Sequence, residues 1–275
     1  SASAILVRFS QAPSGVTAAY RLGWTVLLLL PVVLLRCRAE LRRVTARDLV
    51  LCGASGVLLA LHFLTWFESL KRTSVASSTV LVSTEVIFTA LGFALFLHGK
   101  IPRLGVWAIL LAFGGSALLA LSGGGGAGEL SGNLLALAAA SAAAVYTLIG
   151  RIQRGHLSTT VYTFLTYLAC FLTLLLGTAA AGTPLTGYGG REWLIGLALA
   201  VLCTLLGHSL FSWCLKYLSP SYVSAAKLCE PVFSCLAAIP LFGEVPGPLQ
   251  LAGGAAVLGA VLLYTWAERE KTPAG

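Results

Sequence analysis

From Val16 onward the chain alternates long apolar runs with short polar interruptions. The runs cover residues 16–35, 49–68, 75–97, 104–121, 133–150, 158–181, 193–215, 220–242 and 248–266. Each is roughly 18 to 25 residues long, enough for an α-helix to cross about 30 Å of hydrocarbon. Apolar residues are continuous within a run, not placed at every second position, which argues against β-barrel strands. The opening SASAILVRFS reads as the tail of one more helix. With no methionine at position 1, the chain is expected to be a trimmed fragment. The expected fold is an all-α polytopic membrane protein of ten helices, the first of them truncated.

Composition sharpens this. Hydrophobic residues make up 57% and charged residues 10% of the 275 positions, with a mean hydropathy of +0.89. A soluble domain needs about 25% charged residues to cover its surface. The net charge of +8 sits almost wholly between the runs. Arg36, Arg38, Arg42, Arg43, Arg47, Lys100, Arg103, Arg151, Arg154, Lys216, Arg269 and Lys271 fall on one side of the expected topology. Only Arg8, Lys71, Arg72 and Arg191 fall on the other. The asymmetry makes the first side cytoplasmic and, with the first helix restored, both termini as well. The expected location is therefore the cell inner membrane. The basic balance is topology, and no nucleic-acid partner is implied.

Little else suggests chemistry. The seven cysteines contain no C-x-x-C pair, so neither a disulfide framework nor a metal site follows. There is no G-x-x-x-x-G-K-[ST] phosphate loop, and no cofactor is expected. A hydrolase needs a nucleophile–base set or a metal cluster. No H-E-x-x-H occurs, and the sole aspartate, Asp48, lies between runs, so an enzyme is not expected. The GGGG at 123–126 reads as a flexible part of a connecting loop at 122–131. A homodimer is not indicated.

Shifting the chain by 145 residues lays its halves over one another without gaps. Lys71 then meets Lys216, Ser74 meets Ser219, Glu85 meets Glu230 and Phe88 meets Phe233. The glutamate match carries most weight in a chain with ten acidic residues. Five helices per copy is an odd number, so the second copy must be inserted upside down. Inverted repeats mark secondary transporters, whose substrate site lies near the midplane between the copies. The expected repeats are 1–121 and 132–267.

The stretch from Gly207 to Leu263, GHSLFSWCLKYLSPSYVSAAKLCEPVFSCLAAIPLFGEVPGPLQLAGGAAVLGAVLL, resembles the last three helices of the EamA branch of the drug/metabolite transporter superfamily. SVASSTVLVSTEVIFTALGFALFLHGKIPRLGVWAI resembles the matching helices of that family's first repeat. The resemblance implies a ten-helix inverted-repeat carrier, often an exporter of amino acids or other small metabolites. Two departures stand out. Gly99 occupies the place where a glutamate often closes the fourth helix, whereas Glu244 keeps it in the ninth. Val86 stands where the second half has Pro231.

Glu85 and Glu230 lie mid-run, roughly 15 Å from either interface. A charge at that depth costs about 2.5 to 3.5 kcal/mol on insertion scales, so such residues face the bundle interior and usually serve function. Ser74, Ser78, Glu85 and Thr89 form one helical stripe, and Ser219, Val223, Lys227, Glu230 and Ser234 the corresponding one. Facing each other, the stripes would line a central cavity. Lys227 and Glu230 can instead pair on their own helix and serve packing alone. Pro231 lacks an N–H, which strips the Lys227 carbonyl of its helical partner and kinks the helix. His62 and Trp66, one turn apart, and His208 with Ser212 and Trp213, add candidate proton-relay or aromatic contacts. A single histidine is more often a packed core residue. Arg21 reads as snorkelling to the interface, with attraction of an anionic group as the alternative. Trp107, Trp193, Trp266, Tyr217 and Tyr222 read as interfacial belts.

The function expected is a secondary transporter moving a small metabolite by alternating access, an amino acid or related compound, export favoured, with protons as coupling ion through Glu85 or Glu230. Exchange of an anion or phosphorylated metabolite is the alternative that Lys227 and Arg21 suggest. A membrane scaffold or receptor without transport is the alternative of another class.

Overall fold

The computed structural model describes residues 2–96, 102–122, 127–218, 220, 223, 227 and 229–269. Gly99, Lys100, the glycine run 123–126, Ser219, Tyr222 and Lys271 lie outside the described residues, as does the side chain of Pro231. Helices make up every regular element among those described. They are α1 (Ala2–Phe9), α2 (Ser14–Arg36), α3 (Arg38–Leu41), α4 (Ala46–Arg72), α5 (Val75–Val82) and α6 (Glu85–Phe96). The chain continues as α7 (Arg103–Ser122), α8 (Ala127–Gln153), α9 (Thr159–Ala180) and α10 (Gly190–Ala198). A π-helix (Leu199–His208) then runs into α11 (Ser209–Cys214), followed by α12 (Cys229–Phe242) and α13 (Pro248–Arg269). Seven stretches among these are long and apolar enough to cross a membrane, and Arg103–Gly115 is a shorter apolar helix. Large side chains such as Leu35, Leu61, Phe96 and Leu176 point outward and are exposed. Only a hydrocarbon solvent tolerates that much outward apolar surface. The chain is an all-helical, multi-pass membrane protein.

The helix starts follow from local chemistry. Asp48 and Thr45 cap α4 reciprocally, the Thr45 hydroxyl accepting from the Asp48 N–H while the Asp48 carboxylate accepts from the Thr45 N–H. The same carboxylate accepts from Gln153 and contacts His156, which ties the start of α4 to the end of α8. Ser74 and Ser158 cap α5 and α9 in the simpler way. Element starts recur at 145 residues: Ser14 with Thr159, Arg103 with Pro248.

The core forms where α4 lies along α8 and α9 and where α7 lies along α13. At Gly56 the approach is close enough that a Cβ would sit 2.5 Å from the Ala169 methyl and 2.6 Å from the Thr166 carbonyl oxygen. Ile87, Ile109, Val261 and Tyr264 fill the space between α6, α7 and α13.

Two differences from the sequence reading concern helix ends. α8 begins at Ala127, well before 133, so residues 127–131 of the connection expected at 122–131 are helical. Glu129 in its first turn suits the positive end of the helix dipole. The fourth expected span is broken at Ser83–Thr84, between α5 and α6. There the Ser83 and Thr84 hydroxyls donate to the Thr79 and Leu81 carbonyls, at 2.8 and 2.6 Å. The local N–H groups bond three residues back instead of four. No proline is needed. In the second half Lys227, which the 145-residue shift lays on Val82, lies in a turn before α12.

Candidate functional site

A cavity of about 410 Å³ opens between α1, α2, α4, α5, α6, α8, the π-helix and α11, with Lys227 and the start of α12 closing it. That volume suits a small organic solute. Arg21, His62, Trp66, Glu85, His208, Lys227 and Glu230 all line it. Trp213 does not. It is exposed and packs on Tyr217, because five residues of α-helix turn position 213 about 140° from the face that holds His208.

The ion pair of Lys227 lies across the cavity, and not along its own helix as the packing alternative would have it. Lys227 Nζ lies 2.8 and 2.9 Å from the two carboxylate oxygens of Glu85, across the halves and not on its own helix with Glu230. The reason is geometric: Lys227 sits in a turn, where the three-residue spacing to Glu230 no longer stacks the side chains. Glu85 is the first residue of α6, so its charge also meets the helix's positive end. Thr147 of α8 donates to Oε1 of Glu85 at 2.9 Å, and the Lys227 ammonium lies 5.4 Å from the Phe211 ring centre.

The expected polar stripe also changes. Thr79, Val82, Ser83 and Glu85 line the cavity, while Ser78 turns away to bond Ser69 of α4. The break at Ser83–Thr84 resets the helical phase. Pro231 does not leave the Lys227 carbonyl orphaned, since the Glu230 N–H donates to it at 2.8 Å. Proline thus stands in the first turn of α12, where its missing N–H costs nothing.

Arg21 does not snorkel. It is fully buried, with Nε donating to Thr204 Oγ1 at 2.7 Å and Nη1 to Ser3 Oγ at 3.2 Å. Phe63 covers its face, 4.2 Å from guanidinium carbon to ring centre. Thr204 belongs to the π-helix, whose wide turns aim that hydroxyl inward; π-segments of this kind gather at functional sites. Glu230 faces the same cavity, within Coulombic reach of Arg21.

His62 Nδ1 lies 2.9 Å from the Ala139 carbonyl oxygen. A carbonyl only accepts, so Nδ1 carries the hydrogen and Nε2 is left as an acceptor. The ring stacks on Trp66 and meets His208 at 6.4 Å between centres. Trp66 is buried, and its indole N–H finds no acceptor among the described residues. Sequence reasoning missed Phe63, Thr147, Tyr146, Thr204 and Phe211. Tyr146 bonds Ser212 through its hydroxyl. Nothing in an apolar helix distinguishes an aromatic that faces a cavity from one that faces lipid, so only the neighbouring helices identify them. Among the expected belt residues, Trp107, Trp193, Trp266 and Tyr217 are exposed.

The profile of the EamA-like transporter family matches residues 2–121 and 130–266. The pseudopaline exporter CntI of Pseudomonas aeruginosa (strain UCBPP-PA14) is 24% identical over 207 residues, 75% of this chain and 72% of that protein. A protein of Streptantibioticus cattleyicolor, named "Probable terminal-alkyne amino-acid exporter", is 28% identical over 233 residues, 81% of this chain and 75% of its own. A solved crystal structure of a protein 19% identical superposes with a TM-score of 0.67, covering 98% of this chain and 96% of that one, which shows a shared fold.

Proposed function

The chain belongs to the EamA-like transporter family, and from this we propose that it exports a small zwitterionic metabolite of the amino-acid type by alternating access. The observation that carries the reading is the contact between Lys227 and Glu85 inside the cavity, joining the two halves. A carrier needs a link between its halves that substrate can open. An incoming ammonium offers Glu85 the hydrogen bonds that Lys227 supplies, and so competes for the carboxylate. A proton on Glu85 weakens the same contact without substrate, which couples flux to protons. In this reading the two repeats are inverted, and the protein lies in the inner membrane with both termini and the 36–48 connection cytoplasmic.

Charge counting supports a zwitterion over a multiply charged anion. Among the described residues, Arg21 and Lys227 face Glu85 and Glu230 in one cavity, two charges of each sign. An anion or phosphorylated metabolite would leave its own charge uncompensated there, at a cost of several kcal/mol in a low-dielectric site. The relatives' names, one an amino-acid exporter, point the same way. Counterflow of radiolabelled amino acids into proteoliposomes tests the reading. Uptake of at least one amino acid above protein-free vesicles is expected; absence of any would leave a scaffold or receptor as the better description.

A further inference from the structure

We infer that Arg21 and Trp66 form a carboxylate subsite in this cavity and determine that the substrate must carry a free carboxylate. The inference rests on the export reading above and adds which residues read which end of the substrate. Arg21 is fully buried, yet its described hydrogen-bond partners are two neutral hydroxyls, Thr204 and Ser3, and its covered face meets Phe63. No carboxylate among the described residues comes within ion-pair distance of it. Glu230 lies within Coulombic reach but makes no ion pair with it. Among the described residues the buried guanidinium therefore bonds only neutral hydroxyls and keeps its charge-assisted bonds for a ligand.

Trp66 gives the second, independent observation. Its indole N–H is buried in the wall of the same cavity and has no acceptor among the described residues. Native proteins rarely leave such a donor unmatched. Guanidinium and indole can only donate, so what both lack is an acceptor, and the guanidinium calls for a negative one. A planar carboxylate fits the guanidinium fork through two parallel bonds. One fork neutralises about one charge, whereas a phosphate monoester brings about 1.5 to 2. With the carboxylate at Arg21, the ammonium of an α-amino acid falls on the acidic side of the cavity, towards Glu230 and Glu85.

The test compares each transported amino acid with its primary amide, which keeps the ammonium and removes the charge recognised by Arg21. In proteoliposome counterflow the acid should compete at least about tenfold better than the amide on the wild-type protein. Arg21→Lys, which keeps the charge but not the fork, should narrow that preference by about tenfold, through weaker competition by the acid alone. Trp66→Phe, which keeps the ring and removes the N–H, should narrow it by about three- to tenfold. Equal competition by acid and amide on the wild type would overturn the subsite, as would variants that weaken both ligands alike. If no amino acid shows counterflow, the export reading fails by itself. The subsite is then read from the thermal shift produced by acetate. Stabilisation of the wild type and not of Arg21→Lys supports it; equal or no stabilisation of both sinks it.

Discussion

Lys227 grips both carboxylate oxygens of Glu85 from 142 residues away in the chain, at 2.8 and 2.9 Å. The two side chains are 19% and 8% exposed, so the pair is largely shielded yet keeps contact with the cavity. Removing one partner of such a pair strands the other in low dielectric, which costs about 3 kcal/mol or more. Removing both leaves apolar or neutral groups that pack without penalty.

Glu85→Gln and Lys227→Met should therefore each lower thermal stability more than the two substitutions together, measured in one detergent. All three proteins should lack counterflow, because the contact is proposed to be the link that substrate opens. A double variant that transports at the wild-type rate would reduce the pair to a packing device. Glu230→Gln is expected to lose transport while folding and inserting normally, judged by its size-exclusion profile.

The charged residues of this cavity are legible in the sequence, while most of its aromatic lining and the pairings are not. Glu85, Lys227 and Glu230 are conspicuous because charge in an apolar run has a known cost. Arg21 was assigned to the interface because a long basic side chain near a helix end can reach it. What sequence could not supply is that Thr204, on a π-turn, and Phe63 build a buried seat for it. Glu85 was expected on a continuous helix. The break falls where the adjacent Ser83 and Thr84 both return hydroxyl bonds to carbonyls of the preceding turn, whereas a single hydroxyl doing so, as at Thr163 or Thr173, leaves its helix intact. Trp213 stands five residues after His208, which in an α-helix is about 140° away, so the two cannot share the cavity face.

Glu244 joins four elements at one end of the bundle. It pairs with Arg8 of α1 at 2.9 Å and accepts from the Val75 N–H of α5 at 2.7 Å, while Arg8 also donates to the Leu70 carbonyl of α4. The Asp48 cluster closes the opposite end of α4. Glu244→Gln removes the charge but can still accept from Val75. Because the pair is partly exposed, its loss should shift the local closing equilibrium by about 0.5 to 1 kcal/mol. A Ser83→Cys reporter in the cavity should then react with an impermeant thiol reagent about two- to fivefold faster from the Arg8 side. An unchanged labelling rate would show that the latch does not govern access.

Gly56 and Gly53 share α4 and differ in what a methyl group would meet. At Gly56 a Cβ would collide with the Ala169 methyl and with the backbone of Thr166 and Cys170, the last at 2.7 Å. At Gly53 nothing lies within 4 Å. Gly56→Ala should destabilise by about 1 to 3 kcal/mol as α4 and α9 are forced apart. Gly53→Ala should be neutral or stabilising by up to about 1 kcal/mol, since alanine loses less entropy in a helix. Similar melting temperatures for the two variants would mean that α4 and α9 are not in contact at this point.

The connection after α2 and the connection after α9 occupy equivalent places in the 145-residue repeat. The first carries Arg36, Arg38, Arg42, Arg43 and Arg47; the second, 181–192, carries Arg191 alone. If the repeats were parallel, equivalent connections would face the same side of the membrane. If they are inverted, the charge difference is what opposite sides require, since positive connections are retained in the cytoplasm. Cys37 lies in the first connection and Thr186 is exposed in the second, so both can be labelled. In an otherwise cysteine-free protein, Cys37 should react with an impermeant maleimide only in inside-out vesicles. A Thr186→Cys variant should react in intact spheroplasts. Labelling of both from one face would refute inversion, and with it the placing of Lys227 and Glu85 on oppositely oriented halves.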